Sequence, residues 1–432
     1  MTRYDEAMQM KEELVACRRD LHAHPELAWT EFRTASHVAK SLKALGYEVL
    51  MGDACMKADE MMGVPDKAEL SRAMGRAIKE GADPELVKKM EGGKTGVVGI
   101  MHFAKPGKTV GLRFDMDCLL VEENPTDAHR PTRDGFASTH PGLMHACGHD
   151  GHTAIGLGVA RLIAAHKDEM AGTVKLCFQP GEEGVMGARG MVASGIVDDV
   201  DYFLSGHIGL GNGENNSLVC MTEGFLATSK IDAFFTGKPA HAGANPQNGR
   251  NALLAAAQAS LALHTISRHS DGPSRINVGI LKAGTGRNVI PDNAVIKFET
   301  RGGSTAINEF MEGEARRMIK AAADMYGVTV KMVARGSAAS GNSSPDMGEE
   351  VYEVVKGLGV YSDIEKNHTV SGSEDCSYFM SRVQDHGGKA VYMLYGTEEA
   401  SGHHTSEFDF NEDVLPLSVY TVTELVKHFT NK

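Results

Sequence analysis

The sequence predicts an α/β fold: a discontinuous catalytic domain on an open, mostly parallel sheet, interrupted by an inserted ferredoxin-like domain. Three observations predict it. Apolar strand-like runs alternate with helical ones (TVGLRFDMD, GHTAIGLGVARLIAAH, TVKLCFQPGEE, GARGMVASG, VDYFLSGH), the pattern of an α/β sheet. The strand-like runs end in polar or acidic groups, as expected where functional groups collect beyond the carboxyl ends of strands. From about Phe225 to Gly336 a second plan takes over, with the order strand, helix, strand, strand, helix, strand of a ferredoxin-like unit.

The elements follow in order. From Met8 to Leu50 apolar residues recur at helical spacing (Met8, Leu14, Ala35, Val38, Leu42, Leu45), and LGYEVL reads as a turn into a strand. Residues 56–93 read as a helical insertion between two strands. There Asp66 is an N-cap with Glu69 three residues later, Leu70, Met74 and Ile78 form a stripe, Pro84 opens a second helix and Gly92 lies past its end. The α/β runs continue to SGH at 205–207, and KAVYMLYGT before SGHH adds a late strand. In the inserted unit KIDAFFTG, RINVGILKAG, NAVIKFETR and VTVKMVA read as strands, and RNALLAAAQASLALHTIS and INEFMEGEARRMIKAAADMYG as helices. An autonomous unit at 225–336 leaves 1–224 and 337–432 to form one domain, with the polar SAASGNSSP (337–345) suited to a hinge.

Composition narrows the function. Forty-four basic against 57 acidic residues leave a formal charge of −13 with no basic block, which argues against a nucleic-acid partner held through phosphates. No apolar stretch approaches the roughly 20 residues of a membrane span. The opening MTRYDEAMQMKEELVACRRDLH has no apolar signal core, so a cytoplasmic protein is expected. Seven cysteines at irregular spacing make no disulfide framework. The 19 histidines, by contrast, crowd into a few short motifs.

The densest motif is His145-Ala-Cys-Gly-His-Asp-Gly-His152. Residues two apart in an extended loop project to one side, so Cys147 and His149 can grip one metal ion or two adjacent ones. In Gln179-Pro-Gly-Glu-Glu-Gly184, two neighbouring carboxylates on a turn after a strand point apart, which lets one bind metal while the other acts as general base. His207 ends another strand, and His403 and His404 lie in a loop after a further one. Cys147, His149, Glu183, His207 and one of His403 or His404 make five ligands where a single catalytic zinc takes three, which suggests two metals sharing a bridging group.

In this order RRDLHAHPEL, RFDMD, MHACGHDGHTA, FQPGEEG, HAGANPQNG (241–249), GRNVIPDNA, GSED and HHTSEFDFNEDVL resemble the aminoacylase/carboxypeptidase metallohydrolases, in their amidohydrolase branch. The resemblance spans nearly the whole chain. It implies that Cys147, His149, Glu183, His207 and His404 bind two divalent ions, and that Glu182 is the general base. Aligning the following NEDVLP selects His404 over His403. It implies that Asp115 and Asp117 orient the histidines. It implies too that His241, Asn288 and Arg301 lie in a lid that holds the scissile carbonyl or a substrate carboxylate, with 225–336 as lid and dimerisation domain. The helical insertion, PTRDGFAS and GHHTSEFDFNE are similar to the branch members that hydrolyse p-aminobenzoyl-glutamate.

The expected activity is hydrolysis of an N-acyl or N-aroyl amino acid to an acid and a free amino acid, with Zn²⁺ or Mn²⁺ as the ions. An acidic leaving amino acid requires local cations in so acidic a chain, and Arg287 and Arg301, with Lys238 and Arg250, are candidates. The expected assembly is a homodimer through the lid, or a heteromer with a homologous second subunit. Three rivals remain: a general, hippurate-type aminoacylase, a thiol hydrolase with Cys147 as nucleophile and His149 or His145 as base, and a weakly active regulatory subunit.

Overall fold

The structure, a computed structural model, describes residues 2–210 and 213–432. Its strands are β1 (Glu48–Met51), β2 (Val97–His102), β3 (Lys105–Asp115), β4 (Ala171–Gln179), β5 (Tyr202–Ile208), β6 (Ser217–Glu223), β7 (Ala227–Thr236), β8 (Ser274–Ala283), β9 (Asn293–Gly302), β10 (Thr329–Ala338), β11 (Asp363–Thr369) and β12 (Lys389–Tyr395). The chain divides into two compact units. One comprises Met1–Glu223, Asn342–Val370 and Tyr378–Lys432, the other Gly224–Gly341 and Ser371–Ser377.

The first unit is a mixed α/β fold on an eight-stranded sheet ordered β1-β2-β4-β3-β5-β12-β6-β11. Helices His149–Ala165 and Val414–Thr430 pack together over β3 and β4. The small residues of GHTAIGLG explain how closely: a Cβ on Gly156 would stand 2.7 Å from the Phe178 ring, and one on Gly158 2.6 Å from Val419. Among the described residues no helix is long and apolar enough to cross a membrane.

The sheet is less parallel than expected. The pairs β3/β4, β3/β5, β5/β12 and β6/β11 are parallel, but β1/β2, β2/β4 and β6/β12 are antiparallel. Strands β2, β6 and β11 were not expected from the sequence. The edge strand β11, DIEKNHT, is polar and largely exposed, so it carries no apolar run to betray it.

Between β1 and β2 lie helices Lys67–Lys79 and Pro84–Lys89, each N-capped by an aspartate, Asp66 accepting from the Glu69 amide and Asp83 from the Glu85 amide. The buried face of the first is Leu70, Ala73 and Ala77, whereas Ile78 is exposed. The expected stripe at spacing four drifts off the core because the helix turns every 3.6 residues.

The second unit runs β7, helix Ala252–Leu263, β8, β9, helix Thr305–Met325, β10. Its sheet is ordered β10-β7-β9-β8 and antiparallel throughout. Ile231, Phe235, Ile296 and Phe298 alternate along the strands and pack against Ala255, Ala259, Met311 and Ile319 of the helices.

Candidate metal centre

The first unit brings its chemistry-bearing residues to the carboxyl ends of its strands. Asp115 closes β3, the QPGEEG turn follows β4 and His207 lies near the end of β5. Gly148 adopts φ +90° just before helix His149–Ala165, a bend an L-residue rarely takes. The QPGEEG turn is tighter still, since a Cβ on Gly187 would lie 1.6 Å from the Pro180 carbonyl oxygen. His404 sits in the loop after β12 at φ +64°, and its amide donates to the Ala146 carbonyl at 2.7 Å. That bond fastens the His404 loop to the Cys147 loop.

Several groups of ligand atoms result, each within 4.8 Å internally, among them Asp115, His149 and His152, then His149, Glu182 and Glu183, and the two sets of most interest: Cys147, His149 and His207, and Cys147, Glu183 and His404. Cys147 belongs to both. Its Sγ faces His207 Nε2 at 3.4 Å, while His404 Nε2 lies 3.5 Å from Glu183 Oε1. His149 Nε2 stands 3.9 Å from Glu183 and 4.0 Å from Glu182. His403 turns away and donates from Nε2 to the Ile208 carbonyl at 3.2 Å.

The surrounding bonds fix which nitrogen faces the cluster. His149 Nδ1 donates to the Asp117 carbonyl at 2.9 Å and His207 Nδ1 to the Ile208 carbonyl at 2.7 Å, so each ring turns an unprotonated Nε2 inward when neutral. The Asp117 carboxylate accepts the amides of Glu182 and Glu183 at 3.0 and 2.9 Å, holding the turn that carries both. Glu31, fully buried, accepts the preceding Gly181 amide at 2.9 Å. Asp115 bonds His152 Nδ1 through one oxygen and Arg113 through the other, and His152 Nε2 accepts the Ile208 amide. Both nitrogens of His152 are therefore committed.

These residues fit a bound cation. The buried His149 Nε2 and Glu183 Oε1 have no hydrogen-bond partner. Burial works against charge on His149, yet Asp115, Asp117 and Glu183 outweigh it and raise this imidazole to about 10. A pocket that holds a proton so firmly is one that positive charge stabilises. Burial lifts Glu183 to about 7, and burial with Glu183 and Glu182 lifts the Cys147 thiol well above its ordinary range. Thiolate, imidazole and carboxylate are the donor set of zinc-type ions.

The residues expected to form a lid lie in the second unit. His241 and Asn288 occupy adjoining loops joined by the His241–Val289 bridge and by the Ala242 amide donating to the Asn288 carbonyl. His241 Nδ1 accepts the Gly243 and Ala244 amides at 3.2 and 3.0 Å, so the neutral ring carries its proton on an outward Nε2. Arg287 is exposed in the same loop. Arg301 pairs with Glu299 at 3.0 Å and lines a recess of about 390 Å³ with Arg268 and Arg275. Arg275 stands opposite Arg301 in the β8/β9 register.

Sequence reasoning missed Arg268 and Arg275, which carry no motif. It also left RRDLHAHPEL without a role, although Arg18, His22 and Glu26 are all fully buried. Arg18 and His22 are four residues apart on one helix, so they share a face, and charged residues on a helix face that packs inward are the signal that could have found them.

Residues 111–428 match Peptidase family M20/M25/M40. The chain is 48% identical over 422 residues to the indole-3-acetyl-aspartic acid hydrolase of Enterobacter agglomerans, covering 98% of this chain and 97% of that one. It is 47% identical over 413 residues to a p-aminobenzoyl-glutamate hydrolase subunit of Escherichia coli, covering 95% and 94%. Among solved structures, an aminobenzoyl-glutamate utilization protein from Klebsiella pneumoniae is similar at a TM-score of 0.85 and 39% identity, covering 99% of this chain and 98% of that one.

Proposed function

The chain belongs to Peptidase family M20/M25/M40 and is a hydrolase of amide bonds, and on that premise we propose that it cleaves N-aroyl or N-arylacetyl conjugates of acidic amino acids, p-aminobenzoyl-glutamate first among them. The observation that carries the reaction is the pair of ligand sets meeting at Cys147 beside Glu182. Cys147, His149, Glu183, His207 and His404 would hold two divalent ions. The thiolate favours Zn²⁺ over the harder Mn²⁺. When bound, such ions supply Lewis-acid polarisation of the amide carbonyl and raise the acidity of the attacking water.

The protein's own groups do the rest. Glu182 accepts a proton on its carboxylate from the attacking water and delivers it to the leaving nitrogen, so acid and amino acid depart as separate products. Asp117 fixes where that carboxylate stands by holding the Glu182 amide. His241 offers its Nε2–H to the oxyanion that forms on the carbonyl oxygen. The thiol-hydrolase alternative is disfavoured because the Cys147 thiol is held protonated by burial, whereas a nucleophilic cysteine needs its thiol lowered.

For the leaving amino acid the support is the guanidinium recess of Arg268, Arg275 and Arg301, where Glu299 offsets one of three charges. The two remaining guanidinium charges match the two carboxylates of glutamate or aspartate. A relative named for an aspartate conjugate favours indole-3-acetyl-aspartate as the second reading, and it shares the dicarboxylic leaving group. For assembly, we propose a homodimer through the second unit as lid and dimerisation domain. Relatives named as one subunit of a hydrolase favour the other arrangement, a heteromer with a homologous second chain.

The test is a comparison of kcat/KM for p-aminobenzoyl-glutamate and for the matching glycine conjugate with metal-loaded protein. The glutamate conjugate is expected to win by about tenfold or more, the worth of one charge-assisted hydrogen bond. Arg275→Ala and Arg301→Ala should each erase most of that margin. Preference for the glycine conjugate would move the protein to the hippurate-type aminoacylases.

A further inference from the structure

Two of the segments singled out in the sequence, PTRDGFAS and SEFDFNE, are far apart along the chain and have no part in the chemistry above. They meet in the first unit around Arg130. Its guanidinium grips both oxygens of Asp409, donates to the Phe410 carbonyl at 2.8 Å and reaches Glu412 at 3.1 Å. Six residues earlier, the Asn124 amide donates to the Ser406 carbonyl and its side chain to Glu407, both at 3.0 Å. The loop so clamped is the one that carries His404.

A second arginine ties this clamp to the other ligands. Arg18, with no exposed surface, donates from Nε to Asp150 at 2.8 Å, and its terminal nitrogens reach Asp409 at 3.0 Å and Glu412 at 3.2 Å. Asp150 directly follows His149 in the helix His149–Ala165. One buried guanidinium therefore spans the segment that bears Cys147 and His149 and the segment that bears His404. The Phe136 ring lies within 5.8 Å of the guanidinium carbons of Arg18, Arg19 and Arg130, filling the space among them.

His404 needs such support. It is exposed, it takes a left-handed backbone conformation, and its loop neighbours Thr405, Ser406 and Glu407 are exposed too, so packing does not set its reach. Its amide bond to the Ala146 carbonyl holds the backbone at one point, and the clamp at Asp409 and Glu412 holds the base of the loop. We propose that Arg130, with Arg18 behind it, is a positioning residue that sets the distance of His404 from Cys147 and Glu183, and so governs the affinity of the ion held by that set and not of the ion held by Cys147, His149 and His207.

The inference rests on the two-ion reading, and the wild-type titration tests that reading separately. Wild-type protein stripped of metal and titrated with Zn²⁺ by calorimetry, with bound zinc counted by mass spectrometry, should take two ions; fewer would reject the two-ion reading and this inference with it. Arg130→Lys keeps the charge but loses the planar fork. It should weaken one of the two zinc sites by about 10- to 100-fold, the usual effect of removing a partner that orients a ligand, and leave the other within a few-fold. Activity lost at stoichiometric zinc should return in excess zinc, which a general loss of packing would not allow. Asp409→Asn should do the same from the other side. If Arg130→Lys and Asp409→Asn, melting close to wild type, keep both zinc affinities or lose both equally, the proposal fails.

Discussion

At the residue scale, Glu182 and Glu183 adjoin in sequence, but the structure gives them different surroundings. Glu183 is the one drawn into the Cys147 and His404 set, while Glu182 stands outside that set, 4.0 Å from His149 and within 4.8 Å of Glu183. Replacing Glu182 by Gln removes the proposed proton acceptor without changing size or the hydrogen bond from the residue's backbone amide to Asp117. The expected outcome is a kcat lower by about 10² to 10⁴ with metal content unchanged. Steady-state kinetics on protein of verified zinc content checks it, and a kcat within a few-fold of wild type would reassign the base. Cys147, His149, Glu183, His207 and His404 could be proposed as ligands from the sequence because each stands in a short motif at or after a strand-like run, whereas His152, which joins Asp115 and His149 in a further group of ligand atoms, was not singled out. The arginines of the recess were not, because Arg268, Arg275 and Arg301 are brought together by strand register, a long-range property no local window contains.

At the element scale, helix Lys11–Ala23 shows why half of a motif was readable and half was not. Its apolar spacing marked it as a helix, yet its buried face carries Arg18 and His22 beside Leu14 and Leu21. His22 Nδ1 lies 2.8 Å from Asp150 and Nε2 3.0 Å from Glu123, and both partners are carboxylates, so both ring nitrogens donate and the ring is an imidazolium. Burial alone would lower this imidazole, but the bonds to Asp150 and Glu123 outweigh it and raise it. The sign of the linkage follows. A folded value above the unfolded one of about 6.5 means the contribution to stability is complete below that pH and is lost as pH rises through the folded value. His22→Gln should therefore lower Tm most in mildly acidic buffer, with the gap to wild type narrowing as pH rises. Thermal melts of both proteins across pH measure that gap, and one that stays constant would mean His22 contributes through packing alone. The antiparallel pairings of β2 and β6 were hidden in the sequence for a related reason: strand direction is decided by which neighbour is available, and an apolar run looks the same either way.

At the scale of the whole molecule, the proposed dimer would decide which His241 could serve which metal site. Within the second unit β8 is an edge strand whose Ile280 and Leu281 are exposed, and helix Ala252–Leu263 exposes Leu254 and Leu261. An unprotected apolar edge of this kind invites pairing with a second copy. If copies join there, the His241 of one protomer can supply its Nε2–H to the oxyanion formed at the other's metal centre. His241→Ala and Glu182→Gln are then each inactive alone for different reasons. In a mixed dimer, the metal centre of the His241→Ala chain keeps its own Glu182 and receives an intact His241 from its partner. The second centre carries both defects. Random exchange of equal amounts makes half the dimers mixed, each with one intact centre of two, so activity should recover to about one quarter of wild type in a two-fold symmetric dimer. Mixing the two purified variants under conditions where exchange of protomers is verified by mass, then assaying hydrolysis, makes the measurement. Recovery near that fraction requires His241 to act across the interface; exchange without recovery would place its action within its own chain or outside the reaction.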